Sequence, residues 1–346
     1  MTDSMNFLDA VEGLPEQLTA AHEAAGKVHA DAFPKPENVR NIVVMGMGGS
    51  GISGDVINAA FNDELPVPLT VLKQIRTPAF VGPSTLAFAV SYSGDTEETV
   101  SMAQSAVEKG AQLVAVSKGG KIAEIARDAG ALHLSCPDGF LPRAALGTLV
   151  APLAVTLFRM GFAPGAHASL VRAQAQLAVR RDKCKPSVEG AANPARELAR
   201  QIGRTIPLVY GGGALGAVAA YRWKCDVNEN AKASAFSHAY PELDHNEICA
   251  WGQGGDVTRQ LISLIELRHG FEHARLSPRF EITREIIDEC VHQVLEVQAE
   301  GEGRLAQLLD LMYVGDWVSC YLALQNDVDP GPIDAIFELK SKMAKL

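Results

Sequence analysis

The sequence has no pair of cysteines at C-x-x-C spacing, although six cysteines are spread along its 346 residues. Zinc knuckles and thioredoxin-type redox centres are thereby excluded. Scattered cysteines in a chain this long are expected to be buried thiols in a reducing compartment. There is no excess of positive charge either: 31 Lys and Arg stand against 41 Asp and Glu, a formal net charge of -10. Such a balance argues against a protein whose main task is to grip nucleic-acid backbones. Residues 1–40 hold seven acidic residues against three basic ones, so they make a poor DNA-reading arm. No basic-then-apolar pattern opens Met1 to Ala10. The longest apolar stretch, Leu146 to Phe158, contains Pro152 and is too short to span a bilayer. Neither nucleic acid nor membrane is expected as a partner, and cytoplasm is the expected compartment.

What is present is an ordinary globular composition, 47% hydrophobic and 21% charged, in a chain long enough for two domains. Residues 5–30 repeat Phe7, Leu8, Val11, Leu14 and Leu18 at helical spacing. Asn41 to Met45 is a short apolar run that stops at glycines, the mark of a buried parallel strand. Helix is expected from about Gly51 to Asn62, Glu97 to Lys109 and Lys121 to Ala129. Strands are expected at Leu69–Lys73, Thr85–Val90, Leu113–Val116 and Leu132–Leu134. This alternation implies a doubly wound α/β domain. Residues 161–195 read as a connector. Asn193-Pro194 then reads as an N-cap with proline at the first helical position, and Gly203 as the stop. Pro207 to Gly211 repeats the texture of Ile42 to Gly46, so the chain is expected to hold two degenerate copies of one α/β unit. The second copy is expected to continue through Ile248–Trp251, Leu261–Leu267 and a long helical region over Glu281–Gln325. A last helix is expected from Ile333 to Lys345, after Asp329-Pro330-Gly331-Pro332. The expected division is 1–160, 161–195 and 196–346.

Three clusters carry the chemistry. Gly46-Met47-Gly48-Gly49-Ser50-Gly51 satisfies G-x-G-x-x-G between a strand and a helix, but the second strand ends Leu72-Lys73-Gln74 with no acid to hold a ribose. A nicotinamide dinucleotide is therefore disfavoured. The glycines can instead bring a phosphate to N–H groups at a helix start, with Ser50 as a hydroxyl donor. The second cluster, Ser91-Tyr92-Ser93-Gly94-Asp95-Thr96, again lies between strand and helix. Its three hydroxyls, free N–H groups and helix dipole suit a dianionic phosphate without a Walker lysine; a capping box is the plainer alternative. Both loops follow strands of one sheet and should face one pocket, with Arg143 as a candidate cation. The third cluster is Asn228-Glu229-Asn230-Ala231-Lys232 with Leu243-Asp244-His245-Asn246-Glu247. Glu229, at a helix end, is a candidate base, and His245 suits proton delivery to a sugar ring oxygen. A metal held by His238, Glu242, His245 and Glu247 is conceivable, but Pro241 breaks the stretch and no H-E-x-x-H is present.

In this order, the three clusters resemble the sugar isomerase (SIS) superfamily, and within it the bifunctional phosphoglucose/phosphomannose isomerases, over about residues 40–345. The resemblance implies two SIS domains, each a five-stranded parallel sheet between helices, and a C-terminal helix. It implies that Gly48, Gly49, Ser50, Ser91, Ser93, Thr96 and Arg143 hold a sugar phosphate. Glu229 matches the family's catalytic base, His245 its ring-opening residue and Lys340 its catalytic lysine. It also implies no cofactor, no metal, and a homodimer whose histidine crosses the interface. Two positions depart from the family pattern: Asp95 stands where asparagine is commoner, and Gly331 where threonine is frequent. A phosphosugar sensor without turnover and a metal-dependent isomerase are the rival readings.

Overall fold

A computed structural model describes residues 2–343 and 345. It divides into two compact units, one of residues 13–179 with 300–310, the other of residues 1–12, 180–299 and 311–346. The division differs from the expected breaks at 160 and 196. The stretch read as a connector contains a long helix, and both the first twelve residues and the C-terminal segment join the second unit.

The chain opens with helices α1 (Phe7–Glu12) and α2 (Leu14–Gly26), where the spacing predicts one. Pro15 starts α2 cleanly, because a first-turn position needs no N–H donor. Strand β1 (Asn41–Met45) leads into α3 (Gly48–Phe61), and β2 (Leu69–Leu72) follows. Next come β3 (Thr85–Val90), α4 (Glu97–Glu108), β4 (Gln112–Ser117), α5 (Gly120–Asp128) and β5 (Leu132–Ser135). All five strands are parallel, in the order β2-β1-β3-β4-β5. The strand order reverses between β1 and β3, and a ligand crevice belongs at that switch point, beyond the carboxyl ends. Strand β3 is buried at every residue, as a central parallel strand covered on both faces must be. The apolar run from Leu146 is α6 (Leu146–Arg159), a buried core helix despite Pro152. Helix α7 (Ala166–Cys184) follows. Among the described residues no helix is long and apolar enough to cross a membrane.

The second unit holds α8 (Pro194–Ile202), β6 (Ile206–Gly212), α9 (Gly213–Asp226), β7 (Phe236–Tyr240), α10 (Gly255–Leu261) and β8 (Ile262–Arg268). Then come α11 (Ser277–Ile287), β9 (Gln293–Gln298), α12 (Arg304–Gln325) and α13 (Asp334–Met343). Asn193 caps α8 as expected, its Oδ1 accepting from the N–H groups of Ala195 and Arg196 at 3.1 Å each. Four parallel strands run in the order β7-β6-β8-β9, one fewer than the resemblance implies. The region read as continuous helix over 281–325 is two helices around β9. Ile248–Trp251 is not a strand but part of a 3-10 turn, Glu247–Trp251. The strand beside β6 is instead β7, whose residues are mostly half-exposed and carry no apolar run. The last helix reaches Met343; Ala344, inside the expected span, lies outside the described residues.

Two consequences can be measured. Gly94 has φ +82°, and a Cβ there would sit 1.8 Å from the Gly119 carbonyl oxygen. Gly94→Ala must therefore move backbone, and it lowers stability by at least about 1–3 kcal/mol in urea unfolding followed by circular dichroism. Burial pushes the Cys136 thiol up to about 11, whereas Cys249 is exposed. A thiol reagent at pH 8 labels Cys249 rapidly and Cys136 only after denaturation, as peptide mass mapping will report.

Candidate active site

The two loops singled out from sequence leave β1 and β3 side by side. Gly46 fits because a Cβ there would lie 2.9 Å from the Val90 carbonyl oxygen, and one on Gly51 would lie 2.6 Å from that of Gly46. Glycine is thus what allows the turn to close against β3. Helix α3 starts at Gly48, which has φ +50°. Ser50 is buried, and its Oγ accepts from the Tyr92 N–H at 3.1 Å. This bond joins the first loop to the second. In the second loop, Ser91 Oγ lies 2.9 Å from Thr96 Oγ1 and 3.5 Å from Ser93 Oγ, and it accepts from the Gly94 N–H at 3.1 Å. Ser91 thus joins the other two hydroxyls at the start of α4.

The capping reading of this loop does not describe what is found. Thr96 is the N-cap of α4 but makes no side-chain cap bond. Asp95 instead serves the neighbouring helix, its Oδ1 accepting from the Lys121 N–H at 3.0 Å in the first turn of α5. A carboxylate near a helix N-terminus is favoured by the dipole, and asparagine could make the same bond.

Arg143 lies in a 3-10 turn, Pro142–Ala144, and is only 3% exposed. A Cβ on Gly49 would meet the Pro142 oxygen at 3.0 Å and the Arg143 Cα at 3.2 Å. The first glycine loop therefore packs directly on the arginine's backbone. Tyr92 secures the same segment from the other side: its hydroxyl donates to the Pro137 oxygen and accepts from the Phe140 N–H, both at 2.9 Å. Burial raises the Tyr92 phenol above its ordinary pKa, so it keeps the proton it donates. Gly48, Gly49, Ser50, Ser91, Ser93, Thr96 and Arg143 thus belong to one small region of the 13–179 unit. The sequence assigns Tyr92 no role within the motif, and no local signal marks its bonds to Pro137 and Phe140. Lys73, just after β2, pairs with Asp55 of α3.

Glu229, His245 and Lys340 belong to the second unit. Glu229 lies not in α9 but in a π-helical turn, Val227–Ala231, that continues it. Such turns are rare and have to be held by their surroundings. Asn230 Nδ2 donates to Ser319 Oγ on α12 at 2.9 Å, and Asn228 Nδ2 to the Ala233 oxygen at 2.8 Å. Lys232 then turns left-handed, φ 52°, and its Nζ donates to the oxygens of Asp329 at 2.8 Å and Pro330 at 3.1 Å. Glu229 itself is half-exposed, next to half-exposed Asn228 and buried Asn230.

His245 ends a 3-10 turn, Glu242–His245, and is exposed. Its neighbour Asp244 anchors that turn to α11: Arg279 donates to Oδ2 at 2.7 Å and Thr283 to Oδ1 at 3.0 Å. Among the conceivable metal ligands, His238 Nδ1 lies 3.2 Å from Glu247, which also accepts from the Tyr210 hydroxyl. Glu242 takes the Asn246 amide instead. Among the described residues no group of three His, Cys, Asp or Glu converges on a common point. Lys340 is exposed on α13, a helix with no buried residue. Gly331 packs against Met5: a Cβ there would fall 2.8 Å from the Met5 Cβ, which leaves no room for threonine with Met5 in place.

Comparison with known proteins identifies the family. Residues 37–156 match the SIS domain, and residues 191–343 match the bacterial phospho-glucose isomerase C-terminal SIS domain. A bifunctional phosphoglucose/phosphomannose isomerase of Caldicellulosiruptor bescii is 34% identical over 98% of this chain and 99% of its own. One from Thermoplasma acidophilum is 34% identical over 92% of this chain and 94% of its own. Among solved structures, the C-terminal domain of glucosamine-fructose-6-phosphate aminotransferase from Francisella tularensis superposes with a TM-score of 0.67 at 14% identity. That match covers 95% of this chain and 99% of the other, and it shows a common fold. The chain belongs to the bifunctional phosphoglucose/phosphomannose isomerase family.

Proposed function

We propose that this protein interconverts glucose 6-phosphate and mannose 6-phosphate with fructose 6-phosphate by proton transfer through a cis-enediolate. The observation that carries the reading is the hydroxyl-rich pair of loops after β1 and β3, where Ser91 Oγ touches Thr96 and Ser93, Ser50 Oγ accepts from the Tyr92 N–H, and Gly49 packs on the Arg143 backbone. Helix-start N–H groups and neutral hydroxyls suit a phosphate dianion. Arg143 adds one fixed positive charge with a planar fork of donors.

In this reading His245 assists opening of the sugar ring. Glu229 takes the proton from C2 of the aldose, or from C1 of the ketose. The electron pair left behind forms the carbon–carbon double bond of the enediolate as the carbonyl π pair moves onto its oxygen. The hydroxyl proton passes from the neighbouring oxygen to that one, and the same carboxyl returns its proton to the adjacent carbon as the new carbonyl forms. Lys340 assists ring opening or polarises the oxygen. The two aldoses differ only at C2, which is planar in the enediolate, so one base serves both. The active form is a homodimer in the cytoplasm, with His245 supplied by the partner. Its exposure, and that of the whole of α13 including Ile336, Phe337, Leu339 and Met343, supports a second copy as neighbour.

Incubation with fructose 6-phosphate in the presence of EDTA should yield both aldoses. Absence of either product, or a requirement for added metal, counts against the reading. Glu229→Gln should lower kcat by about 10²–10⁴-fold with fructose 6-phosphate binding retained. Arg143→Gln should instead raise KM, since its charge serves ground state and transition state alike. Mixing inactive Glu229→Gln and His245→Ala dimers, with subunit exchange, should restore about one quarter of wild-type activity, because half the dimers are mixed and each regains one of two sites. No recovery would show that both residues come from one subunit.

A further inference from the structure

Three buried charged residues of the second unit have no part in the reaction as described. Arg222, Asp226 and Asp316 are 4%, 1% and 6% exposed. Arg222 Nε contacts Asp226 Oδ2 at 2.7 Å within α9, and its NH2 donates to Asp316 Oδ1 on α12 at 2.9 Å. The π-helical turn carrying Glu229 begins at the very next residue, Val227. On its far side Asn230 is fastened to Ser319, whose own hydroxyl donates to the Asp316 oxygen at 2.8 Å. The turn is thus pinned at both ends to one stretch of α12, and Glu229 lies between the pins. Trp223 adds a third attachment, its Nε1 donating to the Leu311 oxygen at 2.7 Å.

We propose that Arg222 is a positioning residue for Glu229: bridging Asp226 and Asp316, it locks the end of α9 to α12 and thereby fixes the direction in which the π-helical turn presents the carboxylate. The proposal rests on Glu229 being the base. Burying three charged groups carries a desolvation cost that apolar residues of similar size would not. What the guanidinium adds is direction, because its planar group hydrogen-bonds Asp316 through NH2 while its Nε lies against Asp226. A base that must reach two adjacent carbons needs that control, since a displacement of about 1 Å can cost about 100-fold in rate.

The test uses the full chain with Arg222→Lys and Asp316→Asn, each compared with wild type and with Glu229→Gln. Lysine keeps the charge but loses the fork; asparagine keeps the shape but weakens the bridge. At temperatures well below unfolding, and per folded enzyme by circular dichroism, both should lower kcat by about 10- to 100-fold, with KM for fructose 6-phosphate nearly unchanged. In D2O, both should also raise the fraction of aldose product carrying deuterium at C2, because a misdirected carboxyl exchanges its proton before returning it. A merely structural role would lower the unfolding temperature and leave both kinetic readouts alone. If Arg222→Lys does not fold, Asp316→Asn decides by itself. Wild-type kcat and deuterium content in the folded variants, with Glu229→Gln inactive, would overturn the positioning role only. Full activity in Glu229→Gln would overturn the base and the positioning role together.

Discussion

The hydrogen bond from the Tyr92 backbone N–H to Ser50 Oγ is the tie on which the hydroxyl-rich region of the first sheet depends. It closes the gap between two strand-to-helix loops that are 42 residues apart in the chain. Parallel pairing of β1 with β3 brings the loops to the same edge, but pairing alone leaves their side chains free to turn. Once Ser50 accepts from Tyr92, the ring of Tyr92 is committed in the opposite direction, toward Pro137 and Phe140. The segment that follows delivers Arg143 against Gly49. One tyrosine therefore sets the relation among three loops, and the glycines are the residues that let those loops come within contact of each other.

The second unit solves a different problem. Its candidate base sits where a helix widens, and widened helices are held by neighbours rather than by their own hydrogen bonds. Asn230, Ser319, Arg222 and Asp316 supply that hold from one face, while Lys232 closes the exit against the carbonyls of Asp329 and Pro330. The loop of His245 is fastened by similar means, through Asp244 to Arg279 and Thr283. In both places a carboxylate or amide next to the functional residue is bonded, and the functional residue is left with room to act.

The fold class was legible because it rests on local signals: apolar runs ending in glycine, helical spacing, and the Asn193-Pro194 cap. The hydroxyl-rich loop was legible for the same reason, since Ser91, Ser93 and Thr96 lie within six residues. Features that depend on distant pairing were hidden. Strand β7 has no apolar run and becomes a strand only by lying on β6. Strand β9 sits between two strong helices, and its alternation was absorbed into their pattern. Arg222 and Asp316 are 94 positions apart, and nothing in either local sequence announces the other. Asp95 looked like a cap for the helix it precedes, and it caps the next one.

The interleaving of the chain has a consequence for its synthesis. The unit containing residues 13–179 lacks only the short stretch 300–310, so its sheet can assemble early on the ribosome. The other unit draws on residues 1–12 and on everything from 311 onward. Helix α1 meets the Tyr313 hydroxyl that donates to the Val11 oxygen only once the ribosome has added the 302 positions that separate them. Its anchor is made long after the helix itself.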